Sequence, residues 1–157
     1  MNVIEELFGN LASFVEYAPG VDTNKAMVDY LPSARSARKN IESIISSAVY
    51  VTIVKSQQGD MLDALRAAMA NRTLAAQLVF DSISRRKAGT DIYKYEIEGM
   101  QRAYMENYFA AMDNLIQQLM QGELKEGSPA KLWKSARYSR LLDECQLRSA
   151  DEFDLIY

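Results

Sequence analysis

The clearest pattern of apolar positions along the chain lies between residues 91 and 121. Two neighbouring rows of apolar side chains recur there at steps of three and four residues. The first row is Met100, Tyr104, Tyr108, Ala111, Leu115 and Leu119, and the second is Met105, Phe109, Met112, Ile116 and Met120. This period predicts one long α-helix with a wide apolar face.

The length of this helix indicates assembly. An unbroken helix over residues 91–121 would run roughly 46 Å. A compact domain of 157 residues is only about 40 Å across. We therefore expect the helix to kink at Gly99, to project from the body, or to contact another subunit.

The first third of the chain carries shorter helical patterns. Residues 3–17 have apolar side chains at helical spacing, although Gly9 weakens the helix that they predict. A short helix is expected to begin near Asp22 or Thr23 and to stop before Pro32. Ser33 is expected to cap the next helix, which buries isoleucines between 41 and 45.

The segment 49–54, VYVTIV, is ambiguous. Its β-branched residues fit a strand, but the sequence offers no partner strand for it. We favour a continuation of the preceding helix.

The second half of the chain adds further helices. Asp60 is expected to cap a helix that ends near the basic residues 85–87, where cations suit the helix dipole. Its predicted buried face is Leu62, Leu65, Met69, Ala76, Val79 and Ile83. Ser128-Pro129 is typical of a helix start, and Ser149 and Glu152 have capping-box spacing. The prediction is an all-α fold of five or six helices in a single domain, 1–157.

The composition of the chain narrows the possible classes of function. The chain has 48% hydrophobic and 25% charged residues and a net charge of −3, which gives no general attraction to nucleic acid or anionic membranes. It contains no histidine and a single cysteine, Cys145, which removes imidazole sites, His-based nucleophile pairs and multi-cysteine zinc sites. No membrane span and no secretion signal are expected, because no run of 18 apolar residues occurs and the N-terminus carries glutamates.

No familiar catalytic constellation is evident. No phosphate-binding loop is present, and Glu96 and Glu98 are two residues apart on a helix, so they face different directions. Asp60 and Asp63 are explained by capping, and Cys145 is read as an inert thiol. We expect no enzymatic activity, no cofactor and no metal.

The aromatic residues of the long helix divide between two roles. Tyrosine is enriched at protein interfaces, where the ring is buried and the hydroxyl stays hydrated. We assign Tyr93, Tyr95 and Tyr108 to a candidate subunit interface. The core of the chain is expected to hold Tyr104, Phe109 and Leu115.

A basic stripe is the best candidate for contact with nucleic acid. Lys131, Lys134, Arg137 and Arg140 are three and four residues apart, with Trp133 and Tyr138 between them. Such a stripe could follow phosphates while the rings stack on bases. We favour the alternative that it is a solvated helix face and that Trp133 anchors the segment to the core.

Several short motifs together resemble a known family. They are Tyr-Lys-Tyr at 93–95, Arg-Ala-Tyr at 102–104, Trp-Lys-Ser at 133–135 and Ala-Asp-Glu-Phe at 150–153, preceded by LDALRAAMAN at 62–71. In this order the chain resembles the small all-helical head–tail connector (adaptor) proteins of tailed bacteriophages and prophages. The resemblance covers roughly residues 25–157, and residues 1–24 are an N-terminal extension outside it.

The resemblance implies a structural protein of the virion. Such connectors form a homo-oligomeric ring beneath the portal protein, extend the DNA channel and give tail-completion proteins a docking surface. DNA would pass nearby without specific binding, and the protein would be assembled in the bacterial cytoplasm and end at the head–tail junction. The alternative is a helical protein-binding module or regulator without enzymatic activity.

Overall fold

The protein is described here by a computed structural model that covers residues 2–18, 20, 25–87 and 94–135. Over these ranges the chain is helical and contains no strand. The α-helices are α1 (Val3–Phe8), α2 (Leu11–Tyr17), α3 (Leu31–Ile45), α4 (Ser47–Ser56), α5 (Asp60–Lys87), α6 (Lys94–Gln121) and α7 (Pro129–Ser135), and a 3₁₀ turn spans Met27–Tyr30. The all-α prediction is confirmed, but the described part has seven α-helices where five or six were expected.

One extra helix arises because the predicted helix over residues 3–17 divides at Gly9. This glycine has a φ of +79°, a conformation that ends α1 without a Cβ penalty. Asn10 then starts α2 by accepting a hydrogen bond from the backbone amide of Ser13 at 2.9 Å. Asn2 and Glu5 cap α1 reciprocally.

The start of α3 differs from the prediction. Pro32 does not stop a helix but lies in the first turn of α3, where its fixed φ is suitable and its missing N–H costs nothing. Ser33 is therefore not a cap. Its side chain is buried, and its hydroxyl donates to Oε1 of Gln77 on α5 at 2.8 Å.

Residues 49–54 are helical, as favoured, but they do not continue α3. Ser46 separates α3 from α4 with φ +79° and ψ 154°, a region that is nearly restricted to glycine. The bend directs Val49, Tyr50, Ile53 and Val54 into the core. Burial of these four side chains stabilises α4 in its separate direction against the local backbone strain.

Helices α5 and α6, each of 28 residues, pair along their length and dominate the fold. The helix predicted from Asp60 to near residues 85–87 and the long helix predicted over residues 91–121 are both present in the described part of the chain. Helix α5 is central, since α2, α3, α4 and α6 all contact it. Small residues let these neighbours approach closely: Ala64, Ala68, Ala70 and Ala75 are all buried. Leu62, Leu65 and Met69 are buried as predicted, whereas Val79 is exposed, and the side chain of Ile83 lies outside the described residues.

Helix α7 closes the described part against α6 and α4. It begins at Pro129 as predicted, and Ser128 caps it by accepting from the amide of Lys131 at 3.3 Å. A Cβ added to Gly122 would lie 2.6 Å from the Cβ of Ala130, so the turn after α6 requires glycine to let α7 approach. Among the described helices, none has the length and apolarity to cross a membrane.

The Ser46 bend gives a direct test of the fold. We expect Ser46→Gly to be more stable than Ser46→Ala by about 1–2 kcal/mol, because only glycine adopts this φ and ψ without strain. Both variants lose the Ser46 hydroxyl, which accepts from the Val49 amide at 3.4 Å, so the comparison isolates the backbone. In an unbroken helix alanine would be favoured by about 1 kcal/mol. Urea denaturation followed by circular dichroism would measure the free energy of unfolding of both variants. A Ser46→Ala variant that is more stable than Ser46→Gly would contradict the bend.

Candidate assembly surface

Helix α6 presents one well-buried face to the rest of the chain. Its members recur at steps of three and four residues and are Tyr104, Tyr108, Met112, Leu115 and Leu119. This set combines four residues of the first predicted row with Met112 of the second, whereas Met100 of the first row is exposed and Ala111 is half-buried. Since α6 lies along α5, the other predicted row is only partly covered.

Tyr108 belongs to this buried face, which corrects its assignment to a subunit interface. It is 3% exposed, and its hydroxyl donates to Oδ1 of Asn40 on α3 at 2.6 Å. The guanidinium of Arg72 lies 5.8 Å from its ring centroid. Burial raises the pKa of the Tyr108 hydroxyl. The ring and hydroxyl are thus already used within the chain.

The assignment of Phe109 to the core is corrected in the opposite direction, because this residue lies on the surface. It was expected in the core but is 56% exposed, with its ring centroid 5.3 Å from that of Tyr108. Neighbouring residues on a helix are about 100° apart, so the residue that follows a buried tyrosine here points away from α5. Tyr104 and Leu115 are buried as predicted.

Tyr95 lies in the first turn of α6 and is 69% exposed, which agrees with a surface role. Tyr93 lies outside the described residues. Of the three proposed interface tyrosines, Tyr95 therefore stays a candidate and Tyr108 is replaced by its neighbour Phe109.

Exposed residues of α6 form a second line at regular spacing, which we call the outer seam. Its residues follow alternating steps of four and three: Tyr95, Gly99, Arg102, Glu106, Phe109, Asp113, Ile116 and Met120. All are exposed except Ile116, which is half-buried. Alternating steps of four and three are the heptad spacing by which two helices pair. Only four of the eight positions, Tyr95, Phe109, Ile116 and Met120, are apolar, so the apolar pattern of the sequence alone does not indicate a heptad here.

The proposed basic stripe is only partly covered by the description. Lys131 forms an ion pair with Glu126, with 3.6 Å between Nζ and Oε1, and Lys134 is exposed. Arg137 and Arg140 lie outside the described residues. Trp133 is 7% exposed and belongs to the core, so its ring is not available to stack on a base. This agrees with the favoured reading, in which Trp133 anchors the segment.

A charged cluster in the described part of the chain surrounds Arg38. Its guanidinium contacts Oε2 of Glu6 and Oε1 of Glu42, each at 3.0 Å, and lies 4.7 Å from the ring centroid of Tyr50. These contacts tie α1, α3 and α4 together. Both carboxylates are used in ion pairs, so the cluster is read as structural. Among the described residues, no group of three or more acidic or cysteine side chains is placed to hold a metal ion.

Compared with models of known protein families, with curated proteins and with solved structures, the chain has no significant match. The outer seam exposes Tyr95, Phe109 and Met120 along one line of α6, and other large apolar side chains such as Phe80 and Leu124 are exposed elsewhere.

Two tyrosines of the core provide a matched test of the geometry. Tyr108→Phe removes the hydrogen bond to Asn40 and should destabilise the protein by about 1 kcal/mol. Tyr50→Phe should be neutral or stabilising by up to about 1 kcal/mol, because the buried Tyr50 hydroxyl has no hydrogen-bond partner. Urea denaturation of both variants beside the wild type would check this, and a larger loss for Tyr50→Phe would contradict it.

The same tyrosines predict how stability depends on pH. Burial raises the pKa of Tyr50, Tyr104 and Tyr108. The pKa of each of these tyrosines is higher in the folded chain than in the unfolded one. Their contribution to the free energy of unfolding is therefore complete below about pH 10 and is lost as the pH rises further. We expect the melting temperature to fall above about pH 10, and the fall to be less steep in Tyr50→Phe, because one of the three buried tyrosines that titrate is then absent. A melting temperature independent of pH between about 9 and 12 would contradict this.

Proposed function

We propose that the protein is a head–tail connector (adaptor) of a tailed bacteriophage or prophage. Copies of the chain would form a ring below the portal protein and join the capsid to the tail. The order of motifs over residues 25–157 supports this proposal, as does the all-α fold. The observation that carries most weight is the outer seam, because a lone subunit leaves its apolar members in contact with water.

A ring needs two different faces on each subunit. One face of a subunit contacts a different face of the next, and the rotation between neighbours closes the ring. The outer seam extends roughly 37 Å from Tyr95 to Met120 at about 1.5 Å per residue. A face of this length is suitable for a long contact beside a neighbouring subunit or against the portal.

The chemistry of the surface agrees with a structural role beside DNA. A channel that conducts DNA should not bind it tightly, and the chain has a net charge of −3. Lys131 is paired with Glu126, and the buried Trp133 offers no exposed ring for stacking on a base.

The proposal is tested by binding to a portal. The full-length protein would be mixed with purified portal rings encoded by the same phage or prophage genome and examined by size exclusion and negative-stain microscopy. We expect a second ring of identical subunits stacked on the portal. Phe109→Asp should weaken that complex at least about tenfold, because it places a charge in the centre of the seam.

Asn107→Asp is the matched control. It adds the same charge on the same helix two residues away, at an exposed position on another side of α6. If the wild type does not bind portal rings at protein concentrations of roughly tens of micromolar, the connector proposal is contradicted. Equal binding by Phe109→Asp and Asn107→Asp would contradict the role of the seam in it.

A helical protein-binding module is the second candidate, since heptad-spaced residues are also suitable for a single partner helix. It predicts a complex of one chain with one partner and no ring on portals. The microscopy experiment separates these outcomes directly.

A further inference from the structure

We infer that the outer seam of α6 pairs with the same seam of a second copy, with the two helices antiparallel. The pairing relates the copies by a two-fold axis near residues 107–108. It is a contact between two identical free subunits and stands independently of the connector proposal.

The seam is separate from the face that α6 buries within the chain. The centre of the outer seam is about 120° around the helix from the centre of the buried face, at about 100° per residue. Seam pairing therefore leaves contacts such as Tyr108 to Asn40 unchanged. Phe109 and Met120 are each 56% exposed in the single chain, so a partner helix would remove a large apolar area from water.

The charges of the seam select the antiparallel direction. In a parallel pair each seam residue would face its own copy, so Arg102, Glu106 and Asp113 would each meet a like charge. An antiparallel pair centred between residues 107 and 108 places Arg102 opposite Asp113 of the second copy, and it does so twice because of the two-fold axis. Opposite charges at these positions favour this register, and like charges disfavour the other one.

The uncharged positions agree with the same register. Tyr95 comes to lie opposite Met120 of the second copy, so that the exposed apolar residues at the two ends of the seam cover each other. Gly99 comes to lie opposite Ile116, where the absence of a side chain leaves room for the branched one. Phe109 lies next to the axis and is flanked by Glu106 of the second copy, whose aliphatic stem can cover the ring.

Three charged residues among the eight positions also limit the strength of the pair. Charged groups at seam positions fix register at a cost in stability. We therefore expect a dimer that dissociates on dilution, which keeps the seam accessible to another partner.

The test exchanges the two opposite charges of the seam in the full-length protein. Light scattering after size exclusion and sedimentation would measure the dissociation constant of the dimer at protein concentrations from roughly 1 to 500 µM. The wild type should be a concentration-dependent dimer. Arg102→Glu and Asp113→Arg should each raise the dissociation constant about tenfold or more, since each creates two like-charge contacts. The double variant Arg102→Glu/Asp113→Arg should recover the wild-type value to within about threefold.

Ala103→Glu is the matched control, because it adds a carboxylate at an exposed position beside Arg102 but off the seam. It should leave the dissociation constant unchanged. Phe109→Asp should abolish the dimer over the same concentrations. All of these positions are on the surface, and circular dichroism would verify that each variant is folded.

Four other outcomes overturn the inference, and a fifth bears on the connector proposal only. A monomer at every concentration shows that the seam does not pair with itself, and rings of the free protein show a head-to-tail contact instead. A dimer that persists in Phe109→Asp places the contact elsewhere, and failure of the double variant to recover pairing excludes the antiparallel register. A dimer that fails to bind portal rings contradicts the connector proposal alone.

Discussion

Helix α6 carries more apolar surface than one chain can cover. Its two apolar rows together span a wide part of its circumference, but α5 and the flanking segments contact one face. Burial of Tyr104, Tyr108 and Leu115 uses that face fully. Phe109 and Met120 stay exposed, and the removal of their apolar surface from water would favour association through α6.

The interior of the chain fixes the direction of α6 and hence of the seam. The central α5 has alanines at Ala64, Ala68, Ala70 and Ala75, so its neighbours approach it closely. Side-chain hydrogen bonds then define the orientation of those neighbours, with Ser33 bonded to Gln77 and Tyr108 to Asn40. The bond between Ser33 and Gln77 is buried and the bond between Tyr108 and Asn40 is partly buried, so leaving either unmade has a cost that penalises a rotated helix.

The fold class and most of the core follow from apolar periodicity alone. Leu62, Leu65 and Met69 were expected inside α5, and Tyr104 and Leu115 inside α6, because each lies at the centre of an apolar stripe. Gly9 was expected to weaken the predicted helix over residues 3–17, and in the structure the helix divides at this glycine. The Gly9-Asn10 pair could have been interpreted as the end of one helix and the cap of the next.

Other features could not be derived from local pattern. Ser46 adopts a conformation that is typical of glycine because α4 buries Tyr50 and Ile53 in the core. The local sequence does not predict this conformation, since it depends on tertiary packing. Tyr108 and Phe109 are adjacent and both aromatic, so the sequence does not say which one faces α5. The register of α6 against α5 decides this, and that register depends on the whole hairpin.

The composition of the seam has a consequence for assembly. A seam with apolar residues at all eight positions would associate strongly and without a preferred direction, and it would be prone to non-specific contacts before any partner arrives. Arg102, Glu106 and Asp113 reduce that affinity and make it depend on register. A surface of this kind can exchange one partner for another, because the free energy lost when two copies separate is small compared with that gained in a larger contact. The charges that weaken the dimer would then be the reason that the same helix can join a larger structure.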